Sequence, residues 1–222
     1  MSFIVAIDGP AGSGKGTITE IVSKKLGLIN IGSGAAYRCV ALQAIREGIS
    51  IDEPEKIIKL LDQINIEFKI ENNKDVIYLN EEDVTDRIRE KDVAKIVSPV
   101  SSIKEVRFKL NDIFRNVAKD KDVIMEGRDI GTYVFPNADV KIYLDASEEE
   151  IANRRYKQNK EAGIQMSYQE ILENIRKRDE NDKKKEIGAL KQAEDAIYID
   201  SSDMTIDEVA NRVIEIIEEK RK

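Results

Sequence analysis

Residues 7–17 read Ile7-Asp8-Gly9-Pro10-Ala11-Gly12-Ser13-Gly14-Lys15-Gly16-Thr17 (IDGPAGSGKGT) and follow directly on the apolar run Phe3-Ile4-Val5-Ala6. A strand-like run, then G-x-x-x-x-G-K, then a helical pattern is the setting of a phosphate-binding loop, here with Gly16 and Thr17 where a hydroxyl residue usually follows the lysine. Glycines let successive backbone N–H groups turn inward around phosphate oxygens, and the helix that follows adds its positive end. Lys15 supplies a mobile charge for the outer phosphates, and Thr17 a hydroxyl for a bound Mg²⁺, directly or through water. An ordinary glycine turn needs neither the lysine nor this spacing. The expectation is that Gly9, Pro10, Ala11, Gly12, Ser13, Gly14, Lys15, Gly16 and Thr17 surround the phosphates of a nucleoside triphosphate. The loop does not say what receives a phosphate.

Working outward, Phe3 to Ile7, Val123 to Met125, Val140 to Leu144 and Ile197 to Ile199 read as buried strands, each followed by a helical pattern or a polar turn. Capping boxes are expected at Ser102 to Glu105, Ser147 to Glu150, Ser167 to Glu170 and Thr205 to Glu208. The last helix carries Ile206, Val209, Val213, Ile216 and Ile217 on one stripe. Strands alternating with helices predict an α/β fold with a doubly wound parallel sheet. Residues 65 to 79 break the rhythm: Ile66, Phe68 and Ile70, a polar stretch Glu71 to Asp75, then Val76 to Leu79 predict an antiparallel hairpin with a five-residue loop, within an insert spanning 48–98.

Composition narrows the chemistry. The chain has 222 residues, 41% hydrophobic and 36% charged, enough to bury a core. A net charge of −7 gives no electrostatic reason to bind a nucleic acid polymer. One cysteine and no histidine exclude an intramolecular disulfide, Cys-His zinc sites and Ser-His-Asp nucleophiles. No run reaches the roughly 18 apolar residues of a membrane span, and the N-terminus lacks a signal-peptide layout. A cytoplasmic protein, with no membrane partner and acting as a monomer, is expected. Cys39 reads as buried and inert, and Tyr37 as a packing residue.

Two more segments belong at strand ends, where a parallel sheet gathers its ligands. They are Ile31-Gly32-Ser33-Gly34-Ala35-Ala36-Tyr37-Arg38 and Glu126-Gly127-Arg128-Asp129-Ile130-Gly131-Thr132. The Asn-Lys-x-Asp of guanine readers is missing, since Asn73-Lys74-Asp75 lacks the spacing. Together with Val134-Phe135-Pro136-Asn137-Ala138, Lys141-Ile142-Tyr143-Leu144-Asp145-Ala146 and Arg178-Asp179-x-x-Asp182, these motifs run in one order from end to end. In this the chain resembles the bacterial cytidylate kinases, which are P-loop nucleoside monophosphate kinases. The resemblance implies ATP and CMP or dCMP as substrates, with CDP or dCDP and ADP as products, and Mg²⁺ as cofactor. It implies one kinase unit over 1–222: core at 1–47, 99–145 and 191–222, a nucleotide-binding insert at 48–98 and a helical lid at 146–190.

Bringing two phosphates together demands cations that neutralise and aim the acceptor, and arginine's planar fork suits phosphate oxygens. By the resemblance, Arg38 and Arg128 hold the acceptor phosphate and Arg178 reaches the transferring group. Ser98, Arg107 and Asp129 match the residues that read cytosine, Asp182 the partner of the sugar hydroxyls, and Ser33 lies beside the acceptor. Arg178, Asp182 and Lys185 fall at i, i+4 and i+7, one face of one helix, and Lys185 is counted with the acceptor site. Arg154 is taken as the ATP contact, although Arg155 is open to the same reading and both also read as helix-surface charges. Glu126 either orders water around the metal or fixes the turn. Against the family pattern, Gly32 replaces an aspartate, Lys185 an arginine and Ala189 a proline. Two other readings compete: a related kinase with another acceptor, such as UMP or another small molecule, and a nucleotide sensor without catalysis.

Overall fold

The computed structural model describes residues 2–72 and 74–222. In chain order the elements are β1 (Ile4–Asp8), α1 (Lys15–Leu26), β2 (Ile29–Gly32), α2 (Ser33–Arg46), α3 (Pro54–Leu60), β3 (Ile66–Glu71), β4 (Lys74–Leu79), β5 (Glu82–Asp83), a 3₁₀ turn (Arg87–Arg89), α4 (Lys91–Ser102), α5 (Lys104–Val117), β6 (Val123–Gly127), a π-helical turn (Ile130–Val134), β7 (Val140–Asp145), α6 (Glu148–Glu161), α7 (Tyr168–Lys184), β8 (Ile197–Asp200) and α8 (Ile206–Arg221). They form two compact units, one of residues 1–2 and 27–123, the other of 3–26 and 124–222.

In the second unit the strand order is β6-β1-β7-β8. β1 and β7 run parallel, from Val5 opposite Val140 to Asp8 opposite Tyr143, and β7 and β8 run parallel from Ile142 opposite Ile197 to Asp145 opposite Asp200. Parallel pairing buries strands on both faces, so Val5, Ala6, Ile7, Val123, Ile124, Met125, Ile142 and Leu144 are all buried. The expected stripe of α8 is buried through Val209, Val213, Ile216 and Ile217, while Ile206 is exposed at its start. Helices α6 and α7 lock together through Ile151, Ala152, Ile171, Leu172 and Ile175.

In the first unit β2 passes directly into α2, whose Ala36, Tyr37, Val40, Ala41 and Ala44 are buried. Strands β3-β4-β5 form an antiparallel sheet. The expected hairpin is present, but Glu71 pairs with Lys74, so its strands run into the polar stretch and the connection is two residues rather than five. Asn72 takes φ 51°, a left-handed conformation that asparagine tolerates and a tight turn requires. Asn73, also in the expected loop, lies outside the described residues.

Other expectations are corrected. No strand was expected at Ile29–Gly32, where β2 forms. Ser102 does not cap a helix: it is the last residue of α4, its hydroxyl donates to the Ser98 carbonyl at 3.1 Å, and Ile103 opens α5 without a side-chain cap. At Ser147 only half the box forms, because the Glu150 carboxylate accepts from Arg154 Nε at 2.9 Å instead of turning back. Ser167 and Thr205 form complete boxes.

Candidate functional site

Between β1 and α1 the chain bends through three positive φ values, at Gly9 (150°), Gly12 (85°) and Gly14 (91°). At Gly9 any Cβ would overlap the Leu144 carbonyl, and at Gly12 it would lie 2.5 Å from Ile151 Cγ2. Only glycine allows this path, which curls the loop around its own lysine. Lys15 is 4% exposed, and its Nζ donates to the Pro10 carbonyl and, at 3.2 Å, to Ser13 Oγ. Burial, and then the charge of Arg128, lower its pKa from 10.5 to about 7, against the pull of Glu126, Asp8 and Asp179. Gly16 and Thr17 are exposed in the first turn of α1.

Arg128 follows β6. Its Nε donates to Asp182 Oδ2 at 2.9 Å and one Nη to the Gly127 carbonyl at 3.3 Å. Asp182 also meets Lys185 Nζ at 2.8 Å. Burial pushes the Asp182 carboxyl up, but Lys185 and Arg128 outweigh it and hold the pKa below the usual value. Lys185 lies one residue past α7 in an extended conformation, so it is not on the helix face that the spacing predicted, although it still reaches Asp182. Asp179 accepts from the Ala11 N–H at 3.1 Å and thereby ties α7 to the glycine loop. Arg178 is exposed on α7, among the charges of Arg128, Asp182, Asp179 and Arg155. Asp129 is buried and starts the π-helical turn, its carbonyl accepting from Tyr133 and Val134. Arg154 donates to Ser201, 2.7 Å to its carbonyl, and its Nη1 is 4.0 Å from where a Cβ on Gly14 would be, so this arginine lies beside the loop.

The remaining predicted residues belong to the first unit. Ser33 opens α2, capped by Gly32, whose missing side chain leaves that helix start without a side-chain bond. Arg38 donates to the Ile88 carbonyl at 3.2 Å, and burial together with the neighbouring charge of Arg89 lowers its pKa. Arg107 is buried on α5 with its guanidinium carbon 5.9 Å from the Tyr37 ring centroid. Ser98 is exposed on α4, one residue before Pro99. Tyr37 and Cys39 are buried as expected, and burial pushes the thiol up to about 12.

The sequence reading gave no role to Asp8, Asp179 or Arg89. Asp8 carried a signal, as a charge closing the otherwise apolar strand Ile4-Val5-Ala6-Ile7. Asp179 lay inside a quoted motif. Arg89 had none, since only the fold sets it near Arg38.

A family model described as cytidylate kinase matches residues 5–219. The chain belongs to the cytidylate kinase family. Among relatives of that name, one from Caldicellulosiruptor saccharolyticus is 48% identical across 96% of this chain and 94% of its own. Another, from Fusobacterium nucleatum subsp. nucleatum, is 43% identical across 98% of both chains, and one from Clostridioides difficile is 41% identical across 96% of this chain and 97% of its own. Solved structures show the fold alone: an uncharacterized protein from Eubacterium ventriosum (TM-score 0.55, 12% identity, 99% of each chain) and a Thermus thermophilus protein (TM-score 0.50, 15% identity, 100% of this chain and 98% of that one). The fold is accordingly an α/β kinase fold, and the family is one of phosphotransferases.

Proposed function

We propose that this chain transfers the γ-phosphoryl group of ATP to the phosphate of CMP, and of dCMP, giving ADP and CDP or dCDP. The observation that carries the reading is the glycine loop itself, which positive φ at Gly9, Gly12 and Gly14 wraps around the buried Lys15. ATP is held by residues 9–17, with Arg154 beside them. Arg38 and Arg128 hold the acceptor phosphate, Arg178 reaches the transferring group, and Ser33 lies beside the acceptor. Ser98, Arg107 and Asp129 read the base: a carboxylate accepts from the amine of cytosine and repels the carbonyl of uracil. Asp182 binds the sugar hydroxyls, with Lys185 at its side. When the acceptor phosphate takes Arg128, Asp182 is released from it.

No general base is required, because the attacking phosphate oxygen is already ionised at neutral pH. The chain's own contribution is to position, neutralise and exclude water, with α6 and α7 as the lid that performs the last. Mg²⁺ would neutralise charge on the transferring phosphates. Among the described residues no group of three or more His, Cys, Asp or Glu side chains could hold a metal ion. Magnesium keeps waters and takes phosphate oxygens, so the exposed Thr17 hydroxyl, with Glu126 acting through water, fits such a site.

The proposed setting is the cytoplasm and the proposed assembly a monomer; the single cysteine in 222 residues is in keeping with a reducing compartment. Among the described residues no helix is long and apolar enough to cross a membrane. An ADP-release assay over CMP, dCMP, UMP and AMP tests the reading: turnover highest with CMP and dCMP is expected, and ADP release without acceptor preference would overturn it.

A further inference from the structure

Asp8 closes β1 immediately before the glycine loop and is 4% exposed. Its Oδ1 accepts from the Ile130 N–H at 2.8 Å and its Oδ2 from the Gly131 N–H at 2.7 Å. These N–H groups open the π-helical turn, and the first N–H groups of any helix have no partner within it. The turn's own bonds run from Tyr133 and Val134 to the Asp129 carbonyl and from Phe135 to the Ile130 carbonyl. Asp8 therefore caps, from a neighbouring strand, the turn that begins just after Arg128 and Asp129. The turn packs closely at Gly131, where a Cβ would lie 3.2 Å from Lys141 Cδ and 3.4 Å from Asp8 Oδ2.

We infer that Asp8 is a positioning residue, whose carboxylate fixes the Arg128–Asp129 segment against the glycine cradle by holding the Ile130 and Gly131 amides. The inference rests on the reading of Arg128 and Asp129 as acceptor-holding residues. A carboxylate is the side chain of this length that offers two acceptors side by side. Asparagine would turn an amide N–H₂ against one backbone N–H and leave it without a partner in a buried place. Burial lifts the Asp8 pKa to about 6, so the fold keeps an ionised group here against its own preference. The charges facing it are Asp129 from the turn, which opposes its ionisation, and Lys15 from α1, which favours it. On β7 the Tyr143 hydroxyl feels its charge, and Lys141 packs on Gly131 while pairing with Asp195.

The test has two arms. In nucleotide-free wild-type protein, the backbone amide resonances of Ile130 and Gly131 are followed by heteronuclear NMR from pH 5 to 7.5. Both are expected to titrate together with a midpoint near 6, and Asp8→Asn to abolish that titration. In steady-state kinetics at pH 7.5, Asp8→Asn should raise KM for CMP about tenfold, one hydrogen bond's worth, and leave KM for ATP within about twofold, a split that mere loss of folded protein would not produce. Amide resonances of Ile130 and Gly131 that Asp8→Asn leaves unmoved, an unchanged KM for CMP, or both KM values rising together would overturn the inference. Should Asp8→Asn not fold, hydrogen exchange of the two amides in wild-type protein decides: protection is expected, and exchange as fast as that of exposed amides would overturn it. If wild-type protein fails to phosphorylate CMP, the proposed function falls, and the amide titration still reports on the tie.

Discussion

Replacing Lys15 by methionine should remove the reaction and stabilise the protein. The folded chain holds this ammonium almost without water, and its pKa falls from 10.5 to about 7. At about 1.4 kcal/mol per pKa unit, carrying the charge at pH 7 costs the fold about 4 kcal/mol relative to a neutral side chain. Against this stand two donated hydrogen bonds, to Pro10 and Ser13, together worth roughly 2 kcal/mol. The Pro10 carbonyl keeps a partner without them, since Ser13 Oγ also donates to it. The net gain of Lys15→Met is about 2 kcal/mol at pH 7, or roughly 4–8 °C in melting temperature for a chain of this size. The sign follows from proton counting. Between pH 7 and 10.5 the unfolded chain binds the proton and the folded chain does not, so the wild type gains stability as pH rises through that window. The advantage of Lys15→Met should therefore shrink with pH, vanish near pH 9 and be reversed at pH 10, where the lost hydrogen bonds outweigh what remains of the charge penalty. Thermal melts of both proteins at pH 7 and pH 10, without nucleotide, measure this, and ADP release should be nearly abolished with every acceptor. A variant less stable at pH 7, or a difference independent of pH, would refute the reasoning.

Two further outcomes are expected. Asp129→Ala should erode the preference for CMP over UMP by about tenfold or more, an exchange of roughly 1–3 kcal/mol in base discrimination, while lowering maximal turnover less. Parallel turnover measurements with the two acceptors check this, and equal losses for both would remove Asp129 from base reading. Ser167→Ala breaks a complete capping box at the start of α7 and should cost about 1 kcal/mol, seen as a lower melting temperature with KM for both substrates unchanged.

What was legible in the sequence depended on whether neighbours in the chain are neighbours in space. Gly9 to Thr17 is a local motif, so its loop and helix are written in consecutive residues. The alternation of Ile66, Phe68 and Ile70 with Val76 to Leu79 is equally local, though pairing of Glu71 with Lys74 carried the strands further than polarity indicated. Strand β2 offers only Ile29 and Ile31 around Asn30, too short a pattern to stand out. At Ser102 the hydroxyl found a carbonyl in its own helix, a competition that a capping pattern does not reveal. The ties that shape the candidate site are long-range: Asp8 to Ile130 and Gly131, Asp179 to Ala11, and Asp182 to Arg128. Residue types pointed to the arginines and acids involved, while their pairing needed the fold. The π-helical turn ends at Val134, since Pro136 keeps Phe135 out of the helical region, but its first N–H groups are held by a carboxylate more than a hundred residues earlier.

The most direct test of the whole account is a crystal structure with a bisubstrate analogue joining adenosine and cytidine through a polyphosphate chain. Lys15, Arg38 and Arg128 should each lie within about 3 Å of phosphate oxygens, with Arg128 released from Asp182. Arg128 still paired to Asp182 at the present 2.9 Å, with Arg38 turned from the acceptor phosphate, would contradict it.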